Sequence, residues 1–238
     1  MQVVFTPDAA IAGNFSLFNS LPALRLLYLL ILAFCISGQA FAAGAAHRLP
    51  NLNFGGVGAT ADARAAAQWV ATSADNQRLP FVIIDKKNAQ AFVFGADGRL
   101  LGATTVLLGL AVGDGGLADM SDREVSNMRP GQRTTPAGRF AAEPGQNLQG
   151  DKVIWMDYAA GLAIHRLRPD FQQERRAQRL ATASIADNRI SLGCVVVPVD
   201  FYEKVVWPVL GKGRSVVYVL PETRPLKGML NALHSDVF

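Results

Sequence analysis

"PFVIIDKKNAQAFVFGADGRLLGATTVLLGLA", Pro80–Ala111, holds three runs of apolar, β-branched and aromatic residues, interrupted at Asn88-Ala89-Gln90 and at Ala96-Asp97-Gly98. Runs of this length and composition favour strands, and polar or Gly-containing breaks between them favour tight reversals. The stretch therefore predicts an antiparallel meander, and with it a mainly β fold with a few helices.

Upstream, "ATADARAAAQWVATS" (Ala59–Ser73) is alanine-rich and helix-favouring, and is expected to pack on the main domain. Residues 43–58 have no period and read as a linker. Downstream, Val112–Thr135 is rich in Gly, Asp and Asn and is expected to be a long loop of the kind that lies over a site. "TTPAGRF" (Thr134–Phe140) leads into another strand. "KVIWMDYAAGLAIH" (Lys152–His165) reads as a hairpin that turns at Ala159-Ala160-Gly161 and delivers His165 at the end of its second arm.

"PDFQQERRAQRLATA" (Pro169–Ala183) has helix-forming residues anchored by Phe171 and Leu180. It is expected to be a surface helix whose Arg175, Arg176 and Arg179 either form a solvated face or contact an anionic substrate. After the short apolar run "CVVV", Asp200 with Glu203 suits a helix cap, Phe201, Val205 and Val209 share one face, and Pro208 and Gly211 mark an end. "RSVVYVL" (Arg214–Leu220) supplies a last strand, and "LKGMLNALH" (Leu226–His234) a short amphipathic helix in the tail, residues 221–238.

The 238 residues are 50% hydrophobic with a formal charge of +4. That suffices for a substantial core and is far from the clustered basic stripe of a nucleic-acid binder, so no nucleic-acid partner is expected. At the N-terminus, "LRLLYLLILAFCISGQAFAAG" places one arginine before an apolar run that ends in Ala40-Phe41-Ala42, the pattern of a signal peptide over residues 1–42. Cleavage after Ala42 would export the protein to the periplasm or cell envelope; an uncleaved form would anchor it in the membrane through residues 21–43. Cleavage removes Cys35 and leaves Cys194 as the sole cysteine of the mature chain, unable to form an internal disulfide.

Chemistry then centres on "RISLGCVVVP" (Arg189–Pro198). A lone cysteine is either sealed in a core or used. A thiol nucleophile needs a base and donors for the developing oxyanion. Among His47, His165 and His234 only His165 falls inside the expected sheet. Gly193 permits a sharp bend, so the amides of Gly193 and Cys194 are candidate oxyanion donors, while Ser191 could donate there or satisfy local backbone. No cluster of Cys and His has metal-ligand spacing, and no phosphate-cradling glycine loop is present, so neither metal nor cofactor is expected.

In order, "IIDKKNAQAFVF", "TTPAGRF", "AIH" and "ISLGCVVV" resemble the L,D-transpeptidase catalytic domain, the YkuD fold, over residues 80–220. The resemblance implies an antiparallel β-sandwich with a surface helical insert, Cys194 as nucleophile in a Ser-x-Gly-Cys motif, His165 as general base, and Ser191 and Gly193 as the motif's flanks. It implies attack on peptidoglycan stem peptides, loss of a terminal D-alanine, and transfer of the acyl group to an amine of a second stem. Leu192 and Val196 depart from the polar residues common in the family, and the segment between His165 and Ser191 is longer by about one short helix. A carboxypeptidase or amidase-type hydrolase on the same scaffold, and a non-catalytic peptidoglycan-binding module, are the alternative expectations.

Overall fold

The computed structural model describes residues 52, 54, 58–115 and 128–235, all within the unit Arg48–Phe238. The expected signal or anchor and most of the linker lie outside the described residues, as does the centre of the long loop, residues 116–127. Helix α1 (Ala61–Ser73) begins where Thr60 Oγ1 accepts the Ala63 amide at 3.0 Å, the usual way of satisfying a first-turn donor. It buries Ala63, Ala66, Ala67 and Val70, the one-sided spacing of an amphipathic helix.

Strands β1 (Phe81–Asp85), β2 (Gln90–Phe94) and β3 (Leu100–Thr105) form the expected meander, with Phe81 opposite Phe94 and Phe94 opposite Leu100. The short β4 (Leu108–Gly109) follows. Then come β5 (Gly138–Gln146), β6 (Lys152–Asp157) and β7 (Leu162–Arg166), a 3-10 turn (Pro169–Glu174) and α2 (Arg176–Ala181). The chain continues through β8 (Arg189–Ser191), β9 (Val195–Val197), a helix in three parts, β10 (Ser215–Val219) and α5 (Leu226–Ser235). The helix parts are α3 (Val199–Phe201), a π turn (Tyr202–Val206) and α4 (Trp207–Leu210).

Eight strands form one sheet in the order β3-β2-β1-β10-β5-β6-β7-β9. Its pairings are antiparallel except β1–β10 and β7–β9, which are parallel, a refinement of the antiparallel expectation. Two inner neighbouring strands, β1 and β10, are buried along their whole length, which is why they read as unbroken apolar runs. Alternation sends Val82, Ile84, Val217 and Val219 into one core and Phe81, Ile83, Val216 and Tyr218 into the other. The first core also takes Ile154, Ile164 and Val195 from the far end of the sheet, so its two halves face each other in the expected sandwich-like manner. The second is covered by α1, α5 and Phe54, with Phe81 and Phe94 stacked at 4.6 Å. Such ring pairs add about 0.5–1.5 kcal/mol beyond their burial.

The sheet nearly closes. Leu107, just beyond β3 at one edge, exchanges two backbone hydrogen bonds of 2.8 and 2.9 Å with Val196 of β9 at the other, and β4 pairs with β8 beside them. The nucleophile candidate lies at this seam.

Three helical expectations are corrected. Pro169–Ala183 is not one helix: Arg175 adopts a left-handed conformation, φ 49°, and breaks it, so that Arg176 and Leu180 turn inward. The helix after β9 is capped by Pro198 rather than Asp200, whose carboxylate pairs with Lys204 at 2.7 Å. Pro208 sits inside α4, not at its end. A proline there has no N–H for the carbonyl four residues back, and the π turn ahead of it, with the Trp207 amide on Tyr202 O, absorbs the misfit.

Candidate active site

Ile164, Val195 and Val197 point into the main core, so the alternating residues Ala163, His165, Cys194 and Val196 occupy the opposite face of the β7–β9 ladder. His165 is in register with Val196 and Ile164 with Val195, which sets Cys194 level with Ala163. At about 3.3 Å rise per residue and 4.8 Å between strands, the Cα atoms of His165 and Cys194 are about 8 Å apart on one face. The fold thus brings together the two residues singled out from the sequence.

The bend that carries Cys194 is held from both sides. Gly193 has φ +143°, and a side chain there would meet Thr134 O at 2.8 Å, so only glycine fits. Thr135 Oγ1 donates to Gly193 O at 2.8 Å and itself accepts the Gly109 amide. Ser191 Oγ donates to Cys194 O at 2.7 Å and accepts the Gly193 amide at 3.1 Å. Both carbonyls flanking the nucleophile's α-carbon are therefore fixed.

This corrects the expected oxyanion site. The Gly193 amide is taken by Ser191, which works on local backbone. The Cys194 amide is turned away from Gly193 O, as a trans peptide plane requires, and is the remaining donor of the pair. Thr135 belongs to the quoted "TTPAGRF" motif but received no role from sequence. Its signal was a hydroxyl immediately before a proline in a motif segment.

Thr135 is anchored in turn. Its carbonyl accepts from Lys86 Nζ at 2.9 Å, and that ammonium, 0% exposed, also binds Gly113 O and pairs with Asp114 at 2.9 Å. Glu222 pairs with Arg189, whose guanidinium also donates to Lys86 O. Burial raises the Asp114 carboxyl, but hydrogen bonds from Thr223, the Glu222 amide and Lys86 outweigh it and hold the group well below the usual carboxylate range.

Cys194 Sγ donates to Gly161 O at 3.4 Å. Burial pushes the thiol above its ordinary value; a backbone hydrogen bond from Ala163 and the charges of Arg168 and Arg176 act against that shift. His165 Nδ1 lies 2.8 Å from Arg166 O, so it carries the proton and leaves Nε2 as the basic nitrogen. Burial, with Arg168 and Arg176 acting in the same direction and the Arg166 carbonyl and Asp151 opposing them, lowers the imidazole to about 4. At neutral pH the resting pair is a neutral thiol and a neutral imidazole, which suits proton transfer during attack rather than a preformed ion pair.

Beyond His165 in the chain, a cavity of about 600 Å³ is lined by Arg166, Arg168, Arg175 and Arg176, with Pro169 and Val199 among its apolar walls. Arg175 is exposed, as a solvated arginine should be, whereas Arg176 is buried and paired with Glu174 at 2.5 Å. Leu180 packs on Val196 and Leu107. The longer segment and the apolar Val196 are therefore one feature, since the inserted helix needs an apolar seat on β9. Leu192 is 38% exposed. Among the described residues no helix is long and apolar enough to cross a membrane.

No protein-family model and no curated protein matches the chain. Among solved structures, it is similar to an L,D-transpeptidase from Xylanimonas cellulosilytica, at 18% identity and a TM-score of 0.38 over 59% of this chain and 60% of that one. It is also similar to the helical cell shape determining protein Pgp2 from Campylobacter jejuni, at 16% identity and a TM-score of 0.41 over 67% of this chain and 54% of that one. The chain thus spans little more than half of each.

Proposed function

We propose that this protein is a cysteine acyltransferase of the L,D-transpeptidase type, exported to the periplasm or cell envelope, that acts on peptidoglycan stem peptides. The observation that carries this reading is the joint placement of Cys194 and His165 on one face of adjacent strands, with a cationic cavity suited to a peptide's carboxylates beyond His165 in the chain. In the first half-reaction Sγ attacks the carbonyl carbon of the third stem residue while its proton passes to His165 Nε2, and the Cys194 amide receives the oxyanion. The C–N bond to the terminal D-alanine then breaks, the imidazolium returns the proton to the departing amine, and a thioester remains. In the second half, an amine of another stem attacks the thioester, gives up a proton to His165, and restores the thiol. Arg175 and Arg176 are the substrate contacts expected from sequence, and Arg168 joins them.

The test is incubation of the full-length protein with disaccharide-tetrapeptide, followed by mass spectrometry, with Cys194→Ala as control. Cysteine-dependent dimers lacking one D-alanine are expected. Trimmed monomers alone would reassign the protein as a hydrolase, and binding without any product would make it a peptidoglycan-binding module.

A further inference from the structure

Arg166 and Arg168 of the cavity lining follow His165 in the chain by one and three residues, and the wiring of the arginines points to more than substrate capture. Among the described residues, the cavity lining holds four guanidiniums and no carboxylate. Among the described residues, acids that reach these arginines stand outside that lining: Asp151, 3.1 Å from Arg166 and 3.4 Å from Arg168; Glu174 on Arg176; and Glu203, 3.9 Å from Arg166. Arg168 Nε is buried without a hydrogen-bond acceptor, its contact with Asp151 being an ion pair only. A buried charged donor lacking an acceptor is costly, and an oxygen anion in the cavity would supply one.

We propose that this cavity binds a carboxylate of the substrate peptide and that its occupation strengthens His165 as a base, so that the catalytic pair is fully active only when substrate is seated. This deepens the acyltransfer reading and rests on it for the identity of the peptide.

The groups facing His165 come from several elements. Arg168 lies in the loop after β7, Arg176 on α2, Asp151 ahead of β6, and the Arg166 carbonyl and Cys194 flank it. Of these, Arg168 and Arg176 are the cations that oppose a proton on the imidazole. Both belong to the cavity lining, so an anion bound there offsets the two charges that weaken the base. The same anion reduces their pull on the sulfur, which keeps the thiol protonated until the base takes its proton in the step itself. Negative charge then develops on the carbonyl oxygen beside the Cys194 amide, and the imidazolium that must persist until the amine leaves is the species the bound carboxylate stabilises.

The test follows the imidazole signal of His165 by NMR against pH in the full-length protein, at low salt, with glutarate as probe, glutaramide as its uncharged control and phosphate as a second anion. His165→Gln identifies the signal. The expected result is a midpoint that moves from about 4 toward the ordinary histidine value near 6.5 with glutarate and stays put with glutaramide. Arg168→Gln should raise the midpoint without any ligand and blunt the glutarate response. Arg175→Gln, at an exposed position that folding tolerates, should weaken glutarate affinity severalfold while leaving the unliganded midpoint in place. An unmoved midpoint at saturating glutarate overturns the inference, and a response to phosphate but not to glutarate overturns the carboxylate assignment. Since none of these readouts requires turnover, loss of the inference is distinguishable from loss of the acyltransfer reading, which the product analysis decides.

Discussion

Two charged clusters lie near the candidate nucleophile Cys194, and they are assembled differently. In the first, Lys86 and Arg189 face Asp114 and Glu222, each of these side chains at most 9% exposed, two buried charges against two, with the exposed Arg224 3.9 Å from Asp114 and backbone groups filling the remaining valences. In the second, four arginines line an open cavity and, among the described residues, the acids seen to reach them lie outside its lining. Balanced, sealed charges fix geometry, and here they fix Thr135 and through it the Gly193–Cys194 bend. Excess cations facing solvent hold free energy that a ligand can release. The comparison teaches that arginine and lysine content alone distinguishes nothing, and that the count of acids within hydrogen-bond distance separates a strut from a receptor.

The comparison breaks first at the residue both clusters lie near. Cys194→Ala is expected to abolish turnover while leaving the melting temperature nearly unchanged, since the sulfur's contacts with Gly161 O and the Ala163 backbone are weak hydrogen bonds; residual product formation would place the nucleophile elsewhere. Thr135→Val comes next, with kcat lower by about 100-fold and KM little changed, because Gly193 O loses its anchor and the Cys194 amide its aim. Thr135→Ser should restore most of the rate, which a purely structural defect would not predict.

Stability then separates the clusters. Lys86→Met takes from Asp114 its buried ion-pair partner, leaving the exposed Arg224 at 3.9 Å, and is expected to cost about 3–5 kcal/mol by denaturant unfolding, whereas Arg175→Gln should stay within about 0.5 kcal/mol. Equal losses would erase the distinction. Acid sharpens it further. Asp114 titrates lower in the folded protein than in the unfolded chain, so its contribution is fully present above the unfolded value near 3.9 and drains as pH falls below it. Asp114→Asn should flatten that part of the stability profile.

The smallest effect concerns the resting thiol. With Cys194 raised and His165 lowered, alkylation by iodoacetamide at pH 7 should be slower than that of an exposed cysteine and should climb through pH 9. A fast plateau below pH 7 would mean a thiolate–imidazolium pair instead.

Legibility from sequence followed the range of the interaction. The hairpins around Lys86–Ala89 and Ala96–Gly98 were readable because composition and turn residues are local signals, and so was α1 from its alanine content, though not its Thr60 cap. Cys194 and His165 were readable as scarce reactive types at strand ends. Lys86 was not, since "DKKN" reads as an exposed turn, and the partners that bury it, Asp114 and Glu222, are remote in the chain. The inward turn of Arg176 depends on a left-handed Arg175, which no propensity favours. The Gly193 amide looked free because its partner, Ser191 Oγ, could equally have pointed at substrate.

The near-closure of the sheet has a consequence for assembly in time. Leu107 meets Val196, and β1 meets β10, only when widely separated parts of the chain have come together, and contacts of that kind set slow folding rates. His165, the thiol loop and the α2 arginines are assembled around that last junction. A newly made chain carries its sulfur without its base until the junction forms, so the reactive centre matures last. Pulsed thiol labelling during refolding would record that maturation as a late loss of Cys194 reactivity.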